Sequence, residues 1–257
     1  MNNLNKEIEN ISIWIKEYFA KANKQKAIVG ISGGVDSAVT AALCVKALGP
    51  ENVHGVLLPC SSMMCDMLDA EDLCKQLEIK IHIVDLRSIY RVWIETHESQ
   101  KTSFSDFTLL QGDSCKLLYG NAKARLRMLE LYALSEQLDG LVVGTTNKTE
   151  SVIGYATKYG DGGVDIEPLM DFYKTEIWEI ARQIKIPNSI INKPPSAGLW
   201  EGQTDEKELG MSYKRIDAYL QHINEFGKLE NPEIEKINKL IKANKHKDLN
   251  LPYYKRN

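Results

Sequence analysis

No run in the 257-residue sequence approaches the ~18 apolar residues of a membrane helix. The amino-terminal "MNNLNKEIENISIWIKEYF" has no apolar centre of a signal peptide. A spanning or exported protein is not expected, and a cytoplasmic one is. Cysteine is scarce and odd in number, five in all, with Cys60 and Cys65 the closest pair. No His or second pair completes a zinc site, so free thiols in a reducing cytosol are the simple reading. A charge excess is missing too. The formal net charge is −3, which gives no electrostatic case for nucleic acid. Repeats, low-complexity tracts and clear linkers are absent, so residues 1–257 read as one domain. The 43% hydrophobic and 26% charged content is ample for a buried core.

What is present alternates. "KAIVGIS" (26–32), "VHGVLLP" (53–59), "KIHIVDL" (80–86) and "LVVGT" (141–145) are short, apolar and β-branched. The first three read as strands covered on both faces. Helical segments lie between them at 36–48, 66–77 and 114–138. This order predicts an α/β fold: a single doubly wound parallel sheet with flanking helices, Rossmann-like. Leu4, Ile8, Ile11, Ile15 and Tyr18 recur at helical spacing, which marks a helix packed on the core or, alternatively, a subunit contact. Further helices are expected at 173–184, 209–224 and 231–244. Residues 147–169 and 192–210 read as long loops, the kind that are often functional.

The first strand stops at "SGGVDS" (32–37), and a helix follows. Successive glycines let backbone N–H groups approach an anion, and the helix adds its positive end. No Lys follows the glycines, so this is not a Walker A loop. Asp36 sits where the helix begins. An acid beside a phosphate cradle needs a cation between them, and Mg²⁺ is held by one or two carboxylates plus phosphates and waters. The loop is therefore expected to hold a pyrophosphate with Mg²⁺. The plainer alternative is a tight turn with Asp36 and Ser37 as helix caps.

"SGGVDS" resembles the pyrophosphate loop of the N-type ATP pyrophosphatases. Within them the chain is similar to the ammonia-dependent NAD synthetases, on "NAKARLRM" (121–128), "GTTNKTE" (144–150), "GYATKYGDGGVDIEPL" (154–169), "YKTEIWEIA" (173–181), "PPSAGLWEGQTDEKELG" (194–210) and "HK" (246–247). The resemblance implies a homodimer in which ATP activates nicotinic acid adenine dinucleotide and free ammonia displaces AMP. It also implies ATP contacts at Gly30, Ile31, Ser32, Gly33, Gly34, Val35, Asp36, Ser37, Thr145, Lys174 and Ser196. Mg²⁺ falls to Asp36 and Glu150, although Glu150 also reads as a helix-start acid. The dinucleotide falls to Arg125, Lys158, Asp165, His246 and Lys247. Lys174 would stabilise charge on the leaving pyrophosphate. Asp161 is the candidate acceptor of a proton from ammonium, and as a Gly-flanked Asp it also reads as a turn former. Lys123 and Arg127 share the helix of Arg125. Neighbours two apart face different ways, so at least one of the two is expected to be solvated. The segment 192–210 and part of 147–165 are expected to close over ATP. The rivals are another enzyme of the superfamily, for which a tRNA enzyme would need a basic surface, and a nucleotide sensor, which would not need Asp36, Glu150 and Lys174 together.

Overall fold

The computed structural model describes residues 2–60, 62–99, 113–200, 202–226, 232–247 and 251–256. Ser61, Glu201, the tail positions 248–250 and the start of the helix expected from 231 lie outside them. Four parallel strands, β1 (Lys26–Gly30), β2 (Val53–Leu57), β3 (Lys80–Ile83) and β4 (Gly140–Val142), form one sheet of order β3-β2-β1-β4. Helices α1 (Asn2–Lys21), α2 (Val35–Leu48), α3 (Met64–Gln76), α4 (Arg87–Ser99) and α5 (Asp113–Leu138) flank it. After β4 come α6 (Lys148–Ile153), α7 (Lys174–Gln183), α8 (Asn188–Ile191), α9 (Asp205–Leu209), α10 (Tyr213–Phe226) and α11 (Pro232–Asn244).

Alternate strand residues point to opposite faces, and both faces of β1 are covered. Ala27 and Val29 join Val53 and Leu57 in a core with Ile11 and Ile15 of α1 and Ile177 and Ile180 of α7. Ile28 and Val56 face Leu86 and Leu134 of the α5 layer. The amino-terminal stripe is thus core, not a subunit contact, with Ile11 and Ile15 fully buried. A third cluster, around Tyr213, Ile216, Leu220 and Ile237, packs α10 and α11 beside α6 and α7.

Three expectations need correction. β3 is not covered on both faces: Lys80, Ile81 and Ile83 are exposed, because β3 is an edge strand with a neighbour on one side only. Each strand is also two or three residues shorter than its apolar run, which continues into the carboxyl-end loops that carry the site. The two long loops contain the short helices α6 and α9. Five or six residues make under two turns, too few for a helical period to be read.

The sheet order places β2 on one side of β1 and β4 on the other. The connections from β1 and from β4 therefore run to opposite sides of this point in the sheet. This opens the crevice in which such sheets bind ligands.

Candidate active site

Residues 32–37 leave β1 at that crevice. Gly33 has φ +79°, and a Cβ there would lie 2.4 Å from the Asp66 carbonyl oxygen. A side chain is therefore refused both by the backbone and by α3, which packs directly over the loop. Gly34 is the N-cap of α2 and supplies no side-chain cap, so the capping alternative for Asp36 and Ser37 does not hold. The first-turn amides of α2 remain available to an anion. The Ser37 hydroxyl donates to the Gly34 carbonyl at 3.0 Å and lies 3.1 Å from Ser32 Oγ. It stiffens the loop from inside. Gly30 ends β1, the Ile31 N–H is taken by Val56 O, and Val35 is buried at the start of α2.

Asp36 and Glu150 meet, although 114 positions separate them in the chain. The Lys174 ammonium donates to Asp36 Oδ2 and, at 3.3 Å, to Glu150 Oε1. Asn147 Nδ2 donates to Asp36 Oδ1 at 2.9 Å. Asn147 also caps α6 by accepting from Glu150 N–H at 3.0 Å. Glu150 is therefore both the helix-start acid and a site carboxylate, one oxygen for each task. Thr145, half-buried, lies just before this cluster on the chain leaving β4.

Burial raises the Glu150 carboxyl to about 8, Lys174 opposes this and Asp36 adds to it. Burial would lower Lys174, but Asp36 and Glu150 outweigh it and hold the ammonium above its ordinary value. Burial raises Asp205 as well. Folded carboxylates with raised values bind protons that the unfolded chain releases. Stability of the unliganded protein therefore falls as pH rises from the ordinary carboxylate range through about 8. Thermal denaturation in chelator between pH 5 and 8 should show that slope, and Glu150→Gln should flatten it. Equal slopes in the two proteins would remove Glu150 as its source.

Four residues of the site escaped the sequence reading. One is Asn147. A second is Asp205, whose carboxylate accepts from Ala197 N–H (3.1 Å), Tyr155 OH (3.2 Å) and Tyr213 OH (2.9 Å). It ties the segment carrying Ser196 to Tyr155 and Tyr213. Tyr213 is the third, its ring 5.1 Å from the Lys174 ammonium. The fourth is Glu167, fully buried, which accepts from Thr146 N–H at 3.0 Å while its Oε1 has no partner. Burial pushes it far above its ordinary value, and it braces the backbone under Gly144, where a Cβ would collide with the carboxyl group. Only Asn147, as a helix cap ahead of Glu150, carried a sequence signal.

Of the dinucleotide candidates, four come together. Arg125 donates to the Lys158 carbonyl at 3.3 and 3.4 Å, Lys158 Nζ to the His246 carbonyl at 2.6 Å, and Lys247 Nζ to the Gly154 carbonyl at 2.9 Å. Asp165 stands apart, its carboxylate taken by Val142 N–H (2.7 Å) and Tyr132 OH (3.2 Å). Asp161 accepts from Thr157 N–H at 3.0 Å, the turn-forming contact of its plainer reading. Ser196 is exposed and accepts from Gly198 N–H at 3.1 Å. Of the pair Lys123 and Arg127, of which at least one was expected to be solvated, Lys123 is buried and Arg127 is half-buried. Lys123 is 7% exposed and donates to Leu199 O, while Arg127 donates to Leu58 O and Ser62 Oγ. Leu199 and Trp200 of the segment 194–200 pack onto α5 beside Gly120 and Lys123, while Arg127 is held by the chain leaving β2.

Fold and site define a Rossmann-like nucleotide-binding protein. The family model described as NAD synthase matches residues 7–252, so the chain belongs to that family. It is 41% identical to an NH(3)-dependent NAD(+) synthetase of Syntrophomonas wolfei, over 91% of this chain and 89% of the relative. An NMN synthetase structure from Francisella tularensis is 34% identical with a TM-score of 0.84, covering 96% of this chain and 97% of that one. An NH3-dependent NAD synthetase from Campylobacter jejuni, in complex with nitrate, is 30% identical with a TM-score of 0.77, over 95% and 96%.

Proposed function

We propose that the chain converts nicotinic acid adenine dinucleotide, ATP and ammonia to NAD⁺, AMP and pyrophosphate. The observation that carries this is the convergence of Asp36, Glu150 and Lys174 beside a glycine loop with no Walker lysine. The nicotinate carboxylate attacks the α-phosphorus of ATP, and the bond to the bridging oxygen breaks. Pyrophosphate leaves. Ammonia then attacks the activated carbonyl carbon, loses a proton, and AMP leaves. The loop amides hold the pyrophosphate, and Lys174 stabilises the charge that grows on it. Arg125, Lys158, His246 and Lys247 hold the dinucleotide. Asp161 takes the proton.

Among the described residues no group of three or more His, Cys, Asp or Glu side chains converges on one point. Two carboxylates on one cation do, and that suits Mg²⁺, which completes its shell with phosphates and waters. Asp36 and Glu150 would hold it, and the ion would neutralise phosphate charge.

The functional unit in this reading is a homodimer. Ile83 on the edge strand, Ile89 and Val92 on α4, and Leu117 and Leu129 on α5 are each at least half exposed, and a second copy would cover such a surface. Light scattering gives the mass directly.

With nicotinic acid adenine dinucleotide, ammonium, ATP and Mg²⁺, the purified protein should yield NAD⁺ and AMP in equal amounts. Release of ADP and phosphate at turnover rates would overturn the reaction. Nicotinic acid mononucleotide belongs in a parallel assay, because the F. tularensis structure is of an NMN synthetase. Faster amidation of that substrate would keep the chemistry and change the preferred substrate.

A further inference from the structure

Lys123 and Arg127 lie four residues apart on α5, a spacing that puts both on one helix face. The Lys123 ammonium donates to Leu199 O at 2.7 Å and lies 5.2 Å from the centre of the Tyr90 ring. Arg127 donates from Nε to Leu58 O and from Nη2 to Ser62 Oγ, each at 3.3 Å. Every one of these partners is neutral. The Cys60 thiol interacts with both, but it is fully buried, and burial pushes it up, away from the charged form. Asp161 adds a favourable charge toward Arg127, without a hydrogen bond to it.

Burying a cation costs several kcal/mol unless it is paired. Lys174 is paired with Asp36 and Glu150, and the half-buried Lys193 with Asp66 and Asp69. Lys123, 7% exposed, has no such ion pair among the described residues, and burial and repulsion from the half-buried Arg127 hold it below its ordinary range. Their neighbours are the chain leaving the carboxyl end of β2 and the segment that carries Ser196, and Arg125 of the dinucleotide cluster stands between them on α5. Two cations whose hydrogen-bond partners are all neutral thus share one helix face near the ligand-binding end of the parallel sheet, and among the described residues Asp161, not bonded to either, offsets part of the charge of Arg127.

We propose that Lys123 and Arg127 form an oxyanion site for a phosphoryl or carboxylate group of the reactants, closed by the carbonyl contact of the 194–200 segment. The identity of the reactants rests on the reaction proposed above. The bound anion supplies the missing counter-charge, and with it the segment over the site becomes more stable.

The test is Lys123→Met, close in length and neutral, beside Lys123→Arg. Removing an unpaired buried charge should leave the unliganded melting temperature unchanged or higher. The apparent Kd for at least one anionic reactant should rise tenfold or more, and Lys123→Arg should restore most of it. Calorimetry is run with Mg-ATP, with nicotinic acid adenine dinucleotide and with NAD⁺, which lacks the carboxylate. A loss confined to ATP assigns a phosphoryl group of ATP. A loss for the acid dinucleotide but not NAD⁺ assigns the carboxylate, and a loss for both dinucleotides assigns their phosphates. A lower melting temperature with every affinity unchanged would mean that Lys123 only fastens the segment, and the proposal falls. If the parent protein forms no NAD⁺, the reaction reading fails, while the affinity comparison still decides the anion site.

Discussion

Asp36→Asn and Glu150→Gln should each lower AMP formation by at least ~10²-fold, the scale of losing one preorganised charge-stabilising group, with the fold preserved. Both replacements keep shape. The amide introduced in place of Asp36 would still offer an oxygen to Asn147 Nδ2, and the amide in place of Glu150 would still complete the capping box with Asn147. Lys174 would keep one carboxylate in either variant. What is lost is one negative oxygen of the pair assigned to the metal. Steady-state rates against Mg²⁺ concentration, with melting curves for both variants, make the check. A variant with parental rates and Mg²⁺ dependence would take that residue out of the site.

The parts of this site that could be read in the sequence are those whose task is local. In "SGGVDS" each residue serves a turn, an amide or a helix start within six positions, so strand, loop and helix were all visible. The amino-terminal stripe showed its helical period but not what it faced, and the structure places it in the core. Asp205, Tyr213 and Glu167 act on residues from 8 to 21 or more positions away, through contacts that only the packed helices create. In sequence they look like a helix-start acid, an apolar-face aromatic and a loop acid. Lys123 and Arg127 misled for the same reason. Their place on α5 was right, but Leu199 covers Lys123 and the chain after β2 holds Arg127, and contacts from distant segments leave no mark in local periodicity. β3 erred in the other direction, since the composition of a buried strand does not reveal that it stands at the edge of the sheet.

The larger effect is expected from Lys174→Met. Lys174 is 3% exposed and is the cation on which both site carboxylates converge. Removing one partner of a buried pair costs about 3–5 kcal/mol, because the other charge stays behind unpaired. Here the loss is smaller than for full burial, since Asp36 and Glu150 are 16% and 17% exposed and water reaches them. Protonation relieves unpaired carboxylates, and Glu150 rises above its parental value of about 8 once Lys174 no longer lowers it, so the deficit in melting temperature should shrink as pH falls toward about 8. Mg²⁺ should also shrink it, if Asp36 and Glu150 bind the ion without the ammonium between them. Turnover should not recover under either condition, because the group that stabilises the departing pyrophosphate is gone. That separation distinguishes a structural lysine from one that acts in the reaction. Recovery of AMP formation to within tenfold of the parent once Mg²⁺ has restored the melting temperature would assign Lys174 to holding the site together and nothing more.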